Sequence, residues 1–547
     1  MLRWTPDEHT TVDLMYMNQD LEVGGSSRFT LPGNPAWPDL SPELLAAAIA
    51  APDAGPPVPL PGLPALTPDR EFVNADITRN SRDDQLELFG VTAARHFDFG
   101  TATVSASFFN HDIEFRFDST PILLFFGVGA PASTVQPQSY ETRMLEVRFA
   151  SELSGPLNFV TGLYYQKDQN DFEVRVPSTD GNGNPVPWDP SNANDFFGGG
   201  TTFFGRSRSD EIEQKAIFGE ITYRFLDRWE LLVGGRFFDV EQQSIQQTIH
   251  NFGGSSGPVA GTQIGTNANG NAIGLIETDD DTVRPKVSLS FSPTDEVMLY
   301  ALYSEGFRVG GINNANQPFA SGIPATFKSD ELNNLEFGIK SRWLNNSVQM
   351  NTTVFLIDWK DIQVEPRDPV GNIPFTTNGG EAEVNGIEWA FQWLATESLE
   401  LDITGTYYID RELTTDQPIL PGASSFIIAG LTGDTIPNVP ETQLYGSVKY
   451  NAQLMGHTLS LIADATYRGK TNTEFRTYSL FNLAVPSYTV VDLYANYAIN
   501  DHFTIGAYVK NVGDELAIQD GIATFQDPAS VVAARPRTIG GTLRWAF

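Results

Sequence analysis

Between Asn334 and Trp343, Leu335, Phe337, Ile339 and Trp343 fall on one parity, and Asn334, Glu336, Lys340 and Arg342 on the other. A period of two belongs to an extended strand with unlike faces, and a helix would not sort the residues this way. The same alternation sets Leu401, Ile403, Tyr407 and Ile409 against Asp402, Thr404, Thr406 and Asp410. It also sets Leu459, Leu461, Ala463 and Tyr467 against Ser460, Asp464, Thr466 and Arg468. The chain closes on a strand in which Ile539, Gly541, Leu543, Trp545 and Phe547 share one face while Thr538, Gly540, Thr542 and Arg544 share the other. Strands that are apolar outside and charged inside keep a closed barrel's backbone paired in lipid and its lumen wet.

Connections alternate in length. Tight turns at TPDEHT, DFG, LDRW, SPTDE, LNNS, ATES and IND separate hairpins whose other ends carry long polar or Gly/Pro-rich segments. The longest of these run from Leu21 to Arg82, Pro177 to Arg208 and His250 to Asp281. Short turns on one side and long loops on the other describe an all-β, transmembrane antiparallel β-barrel of about nineteen strands. An odd count is informative, because bacterial single-chain barrels have an even one with both termini on the periplasmic side. The expectation is therefore a partial barrel whose upstream strands lie outside this sequence. A soluble sandwich, propeller or solenoid is the competing architecture, and no fixed internal period supports it.

Composition narrows the picture. With 48 Gly, 35 Pro and 12% aromatics, the chain suits many strands punctuated by turns. No apolar run approaches the roughly 18 residues of a membrane helix; the longest candidate, Leu44 to Pro52, is too short. The absence of Cys excludes disulfides, thiolate metal sites and a cysteine nucleophile. A net charge of −34 argues against nucleic acid as a partner and places solvated acids in the loops. Met1 to Thr5 leads straight into a strand pattern with no signal peptide, so the expected start of the natural protein lies further upstream.

Candidate chemistry is sparse. His9, His96, His111, His250, His457 and His502 are scattered without metal-ligand spacing, and no nucleophile, base and orienting group can be placed together. Neither a metal site nor a cofactor is expected, nor is enzymatic activity. The glycine run Gly198 to Gly200 lacks the Lys and Ser/Thr of a phosphate loop. The acidic triplet Asp279, Asp280 and Asp281 matches no calcium loop and reads as a solvated strand entrance. Aromatic loops are better candidates for binding: Phe125 and Phe126 in PILLFFGVG, and Phe196, Phe197, Phe203 and Phe204 in DFFGGGTTFFG, where exposed rings beside glycine can close on a ligand. Self-packing or membrane-interface contact is the alternative for them. Arg308 in SEGFRVGG is placed to meet an anionic chelate, with a salt bridge to a neighbouring loop acid as its plainer role. Trp4, Trp229, Trp343, Trp393 and Trp545, near strand ends, read as interface anchors.

Four segments resemble the barrel of TonB-dependent outer-membrane receptors: LYALYSEGFRVGGIN at Leu299 to Asn313, NGGEAEVNGIEW at Asn378 to Trp389, IPNVPETQLYGSVKY at Ile436 to Tyr450, and YTVVDLYANYAINDHFTIGAYVKNVGDE at Tyr488 to Glu515. With the closing RTIGGTLRWAF they cover most of the second half, in order and spacing. The resemblance implies a barrel of about twenty-two strands in the outer membrane of a Gram-negative bacterium, with a plug domain inside it. It also implies a TonB-binding segment ahead of the plug. Plug, TonB-binding segment and about the first three strands have no counterpart here, judged from the strand count. The implied function is active uptake of a scarce ligand, ferric siderophore first, by a monomer in outer-membrane lipid. TonB would act through the absent N-terminal region, and the barrel-assembly machinery would read the terminal Phe547. A passive porin-like channel and a nonfunctional truncated receptor barrel are the alternatives.

Overall fold

The computed structural model describes residues 2–25, 29–30, 78–120, 131–180, 184–186, 202–250, 261–268, 270–314, 323–365, 375–417, 430–476, 482–522 and 530–546. Twenty strands form one sheet. Nineteen of them run as an antiparallel up-and-down meander, each hydrogen-bonded to the strand before and after it. They are β1 Leu2–Asp7, β2 Thr10–Gly24, β3 Ser81–Phe97, β4 Gly100–Asp118, β5 Ser133–Ser151 and β6 Leu157–Pro177. Next come β7 Thr202–Phe225, β8 Trp229–His250, β9 Ala272–Phe291, β10 Val297–Arg308, β11 Asp330–Trp343, β12 Val348–Lys360 and β13 Ala382–Thr396. The series ends with β14 Leu399–Leu413, β15 Thr442–Leu454, β16 His457–Arg468, β17 Tyr488–Ala498, β18 Phe503–Lys510 and β19 Thr538–Trp545. The twentieth, Thr262–Thr266, is a short arm paired only to the start of β9.

The alternation read from the sequence is realised as an outside and an inside. Leu163, Ile217, Phe337, Ile409 and Leu543 stand half or more exposed on the outer wall, where lipid rather than water covers them. Their chain neighbours Tyr164, Phe218, Glu336, Tyr408 and Thr542 face the lumen. All five tryptophans picked from the sequence lie at one end of the strands. Trp343 and Trp545 are the last residues of β11 and β19, Trp229 is the first of β8, and Trp4 and Trp393 stand three residues before strand ends. The Trp229 ring stacks on Phe291 at 4.5 Å, and Trp545 on Phe503 at 6.0 Å. This rim carries the short turns and is the periplasmic one. There Asn345 and Asn346 take φ of 55° and 66°, a left-handed turn that asparagine tolerates better than most residues.

Three loop boundaries differ from the sequence reading. Strand β7 begins at Thr202, so Phe203, Phe204 and the residues to Arg208 belong to a strand and not to a loop. Strand β8 ends at His250, where the sequence reading began its loop, but β9 begins at Ala272, which puts Asp279, Asp280 and Asp281 inside β9 rather than at its entrance. Likewise β2 extends to Gly24. The cause is common to all three: these strands continue beyond the lipid, where both faces are wet and polar residues pair as well as apolar ones. Phe125, Phe126, Phe196, Phe197 and Phe547 lie outside the described residues.

Strands β1 and β19 both run from the extracellular to the periplasmic side, so they cannot join in an antiparallel ladder. Among the described residues no ladder joins them, and both edges are exposed, with Trp4 at 59% and Ile539 at 75%. Unpaired edges in lipid leave backbone groups unsatisfied. At the extracellular end the two sides of this seam are nevertheless linked: Phe29–Thr30, after β2, pairs with Ser530 and Val531 ahead of β19, and the latter pair with Ile518–Ile522. Thr30 and Ser530 are register partners. Antiparallel partners sit within disulfide reach, so Thr30→Cys with Ser530→Cys should form a crosslink under mild oxidation against a cysteine-free background. A gel-mobility shift reversed by reductant checks this; persistent free thiols would show that the clasp does not form.

Candidate functional site at the lumen wall and mouth

An acidic patch lies on the outer wall above the apolar band, where Glu213, Glu241 and Asp279 are register partners across β7, β8 and β9. Lys167 pairs with Glu211 at 2.7 Å and Lys215 with Glu213 at 2.8 Å, exposed pairs of small energetic weight. Of the triplet, Asp279 and Asp281 share this outer face, while Asp280 is the partner of inward-facing Val240. Among the described residues no group of three or more His, Asp or Glu is arranged to hold a metal ion.

Inside the barrel, the wall opens between β9 and β10. Their ladder spans only Phe291 to Lys286 on β9, and Pro285, which has no N–H to offer, stands just beyond the last pair, Lys286 with Ser304. Above that point β9 follows β8 and β10 follows β11. The chain leaving β10 folds over the inner side of β8: Gln242 Nε2 donates to Gly310 O at 2.6 Å, and Gln246 Nε2 to Asn313 O at 2.9 Å. Asn313 then ties in the next two loops, donating to Pro324 O and Thr376 O and accepting from Thr376 N.

Below this cover, where the walls of β8–β9 and β10 part, lies a cavity of about 460 Å³, lined by Phe218, Arg236, Phe238, Arg284, Lys286 and Phe307 among others. Arg236 sits among three rings, its guanidinium carbon 4.7 Å from the centroid of Tyr164, 4.6 Å from Phe238 and 5.4 Å from Phe218. Arg284 lies over Phe307 at 4.9 Å, and Phe238 meets Phe307 edge to face at 4.8 Å. Glu331 and Glu305 approach Arg284 at 3.4 and 3.5 Å, and Lys286 pairs with Glu220 at 3.2 Å. Cation and ring attract through the ring's quadrupole, more strongly where water is excluded.

At the mouth, Arg308 is the last residue of β10. Its backbone N and its Nε both donate to Asp330, each at 2.6 Å. Asp330 is 2% exposed and also accepts from Trp359 Nε1 at 2.9 Å, while the Arg308 guanidinium covers the Trp359 ring at 4.9 Å. The salt bridge foreseen as the plainer role of Arg308 is thus present. Phe203 is buried at 1% exposure, and Phe204 lies 6.0 Å from the guanidinium of Arg206. Tyr164, Phe218, Arg236, Phe238, Arg284 and Phe307 were not singled out from the sequence. The available signal was an arginine of lumenal parity in a chain with few of them.

The sequence model of the family described as TonB dependent receptor-like, beta-barrel matches residues 23–512. The chain belongs to that family. Members are receptors of the Gram-negative outer membrane, and the TonB-dependent receptor barrel accounts for the meander, its short periplasmic turns and its outward apolar band. The metal-pseudopaline receptor CntO of Pseudomonas aeruginosa is 26% identical over 369 residues, 64% of this chain and 44% of CntO. The probable TonB-dependent siderophore receptor PiuA of Acinetobacter baumannii is 23% identical over 44% of this chain and 31% of its own length. The chain thus spans less than half of these curated relatives. Among solved structures, the ferric yersiniabactin uptake receptor FyuA from Yersinia pestis superposes with a TM-score of 0.72 at 15% identity, covering 100% of this chain and 69% of FyuA. The ferric-catecholate import receptor Fiu from E. coli does so with a TM-score of 0.65 at 14% identity, covering 100% of this chain and 73% of Fiu. At such identities the likeness concerns the fold.

Proposed function

We propose that this TonB-dependent receptor barrel serves active uptake of a metal chelate, ferric siderophore first, through its loops and lumen. The supporting observation is that the family match extends over residues 23–512 while curated relatives of the same barrel are receptors for metal-pseudopaline and siderophores. The outer membrane holds no energy source of its own, so the reading requires the TonB complex. Outer-membrane lipid surrounds the apolar band, the five tryptophans anchor its periplasmic rim, and the assembly machinery reads the terminal Phe547. Phe204 and the mouth residue Arg308 contribute to the ligand's path, whereas Phe203, expected there as an exposed ring, is buried.

The test uses the full natural gene product in cells stripped of their own receptors, supplied with radioactive iron, zinc or nickel on a panel of chelators. Accumulation that needs both this gene and an intact TonB system is expected. Equal accumulation after TonB is deleted would turn the assignment to a passive channel. Indifference to every metal chelate would sink the uptake reading altogether.

A further inference from the structure

In a chain with twice as many acids as bases, Arg236 has no carboxylate partner among the described residues. Among the described residues its side chain makes neither a hydrogen bond nor an ion pair, and its Nε is enclosed without an acceptor. Its register partner on β9 is Arg284, another arginine, whose Nε is likewise enclosed and unpartnered. Like charges directly opposite across a ladder repel, and an enclosed donor left unmade costs more than a bond made is worth. Glu305 and Glu331 approach Arg284 and not Arg236, Glu331 also lying 3.9 Å from Lys360. The wall thus holds one uncompensated positive charge, framed by rings, at the edge of this cavity.

From this we infer that Arg236, with Arg284 beside it, is a binding site for the carboxylate of a small planar anion. Three rings lie within 5.4 Å of the Arg236 guanidinium carbon and its Nε is enclosed, so the terminal nitrogens are the donors left for a carboxylate, which a guanidinium meets with two parallel bonds. Phe238 and Phe307, in contact with each other, supply an apolar wall against which a flat ligand body can lie. The cavity of about 460 Å³ takes a single ring with its substituents and is too small for a folded segment of protein. The nearest other cation, Lys286, is already committed to Glu220. Glu220 and Glu305 border the same cavity, so a dianion is disfavoured relative to a single carboxylate. Proline at position 285 matters to this arrangement: by ending the β9–β10 ladder it frees the space into which Phe307 turns.

The inference rests on the lumen being the ligand's path, but its test does not depend on uptake. The full chain, folded in detergent, is titrated with benzoate and with its neutral isostere benzamide, and binding is followed by saturation-transfer NMR. Saturable binding of benzoate and none of benzamide is expected, weakening as salt is raised. Arg236→Gln should weaken benzoate at least about tenfold, the loss of one charge-assisted bond. Arg236→Lys should restore part of it, because the charge remains and the fork is gone. Arg224→Gln, at the periplasmic end and paired with Glu230, should leave it unchanged. Heat-modifiable gel migration reports that each variant is folded. Unchanged benzoate binding by Arg236→Gln, or equal binding of benzamide by the parent chain, would overturn the site, the second outcome without any variant. Either result would leave the metal-chelate reading to its own uptake assay.

Discussion

Asp330→Ala is expected to lower the stability of the folded barrel in detergent by about 3 kcal/mol and to loosen the extracellular mouth. The side chain is 2% exposed and serves three donors: the backbone N and Nε of Arg308 and the indole of Trp359. Removing it leaves the Trp359 N–H enclosed without an acceptor, and Arg308 without the charge that holds it on the Trp359 ring. Arg308 itself is half exposed and regains water, so the loss falls below the sum of three charge-assisted bonds. The consequence reaches further than the pair. Arg308 and Gln363 bridge the ends of β10 and β12 through bonds to Gln363 O, Val309 O and Lys328 O. Thermal unfolding followed by circular dichroism gives the stability change, and limited proteolysis reports the loop beyond Arg308. A midpoint equal to the parent's with unaltered cleavage would show that the cluster does not organise the mouth.

Gly338→Val should prevent a large share of the chain from reaching the heat-modifiable folded form. The Tyr300 ring lies flat on Gly338, its register partner on β11, so that a Cβ there falls inside the ring. Phe218 on Gly162, Phe355 on Gly386 and Tyr508 on Gly540 repeat the arrangement on the lumenal face, and Trp389 on Gly405 on the lipid face. In every case the aromatic supplies the side-chain contact that the glycine of the next strand lacks. Valine at 338 must expel Tyr300, breaking its 2.9 Å hydrogen bond to Thr353 and its contact with Lys340. Overpacking of this kind costs about 1–3 kcal/mol. Pairing Gly338→Val with Tyr300→Ala should recover much of the folded band. Failure of that second change to recover anything would place the damage in the backbone instead of the ring.

Strand and turn were readable because lipid imposes a period of two: Phe337 and Ile409 must be apolar outside, and Glu336 and Asp410 may be polar inside. That constraint lapses above the membrane. The residues that open β7 and β9 above the lipid no longer alternate between apolar and polar, so the sequence reading started both strands too late and took Phe203 and Phe204 for loop residues. The tryptophan rim was legible for the opposite reason, since an amphipathic ring at a strand end has one favourable depth. The Asp330 cluster was not, because Arg308, Asp330 and Trp359 come from three strands.

Alternation, turn spacing and the terminal aromatic strand were sufficient to determine a transmembrane β-barrel wall of about nineteen strands, and the four quoted segments its family. Each of these is a local property, set by which side of a strand meets lipid. Register is not local. Only the folded sheet decided that Arg236 stands opposite Arg284, that five glycines lie under five aromatic rings, that the wall parts above Pro285, and that β1 and β19 remain unjoined. Pairing between residues dozens of positions apart is set by the tilt and stagger of the whole wall, which no short stretch of sequence carries.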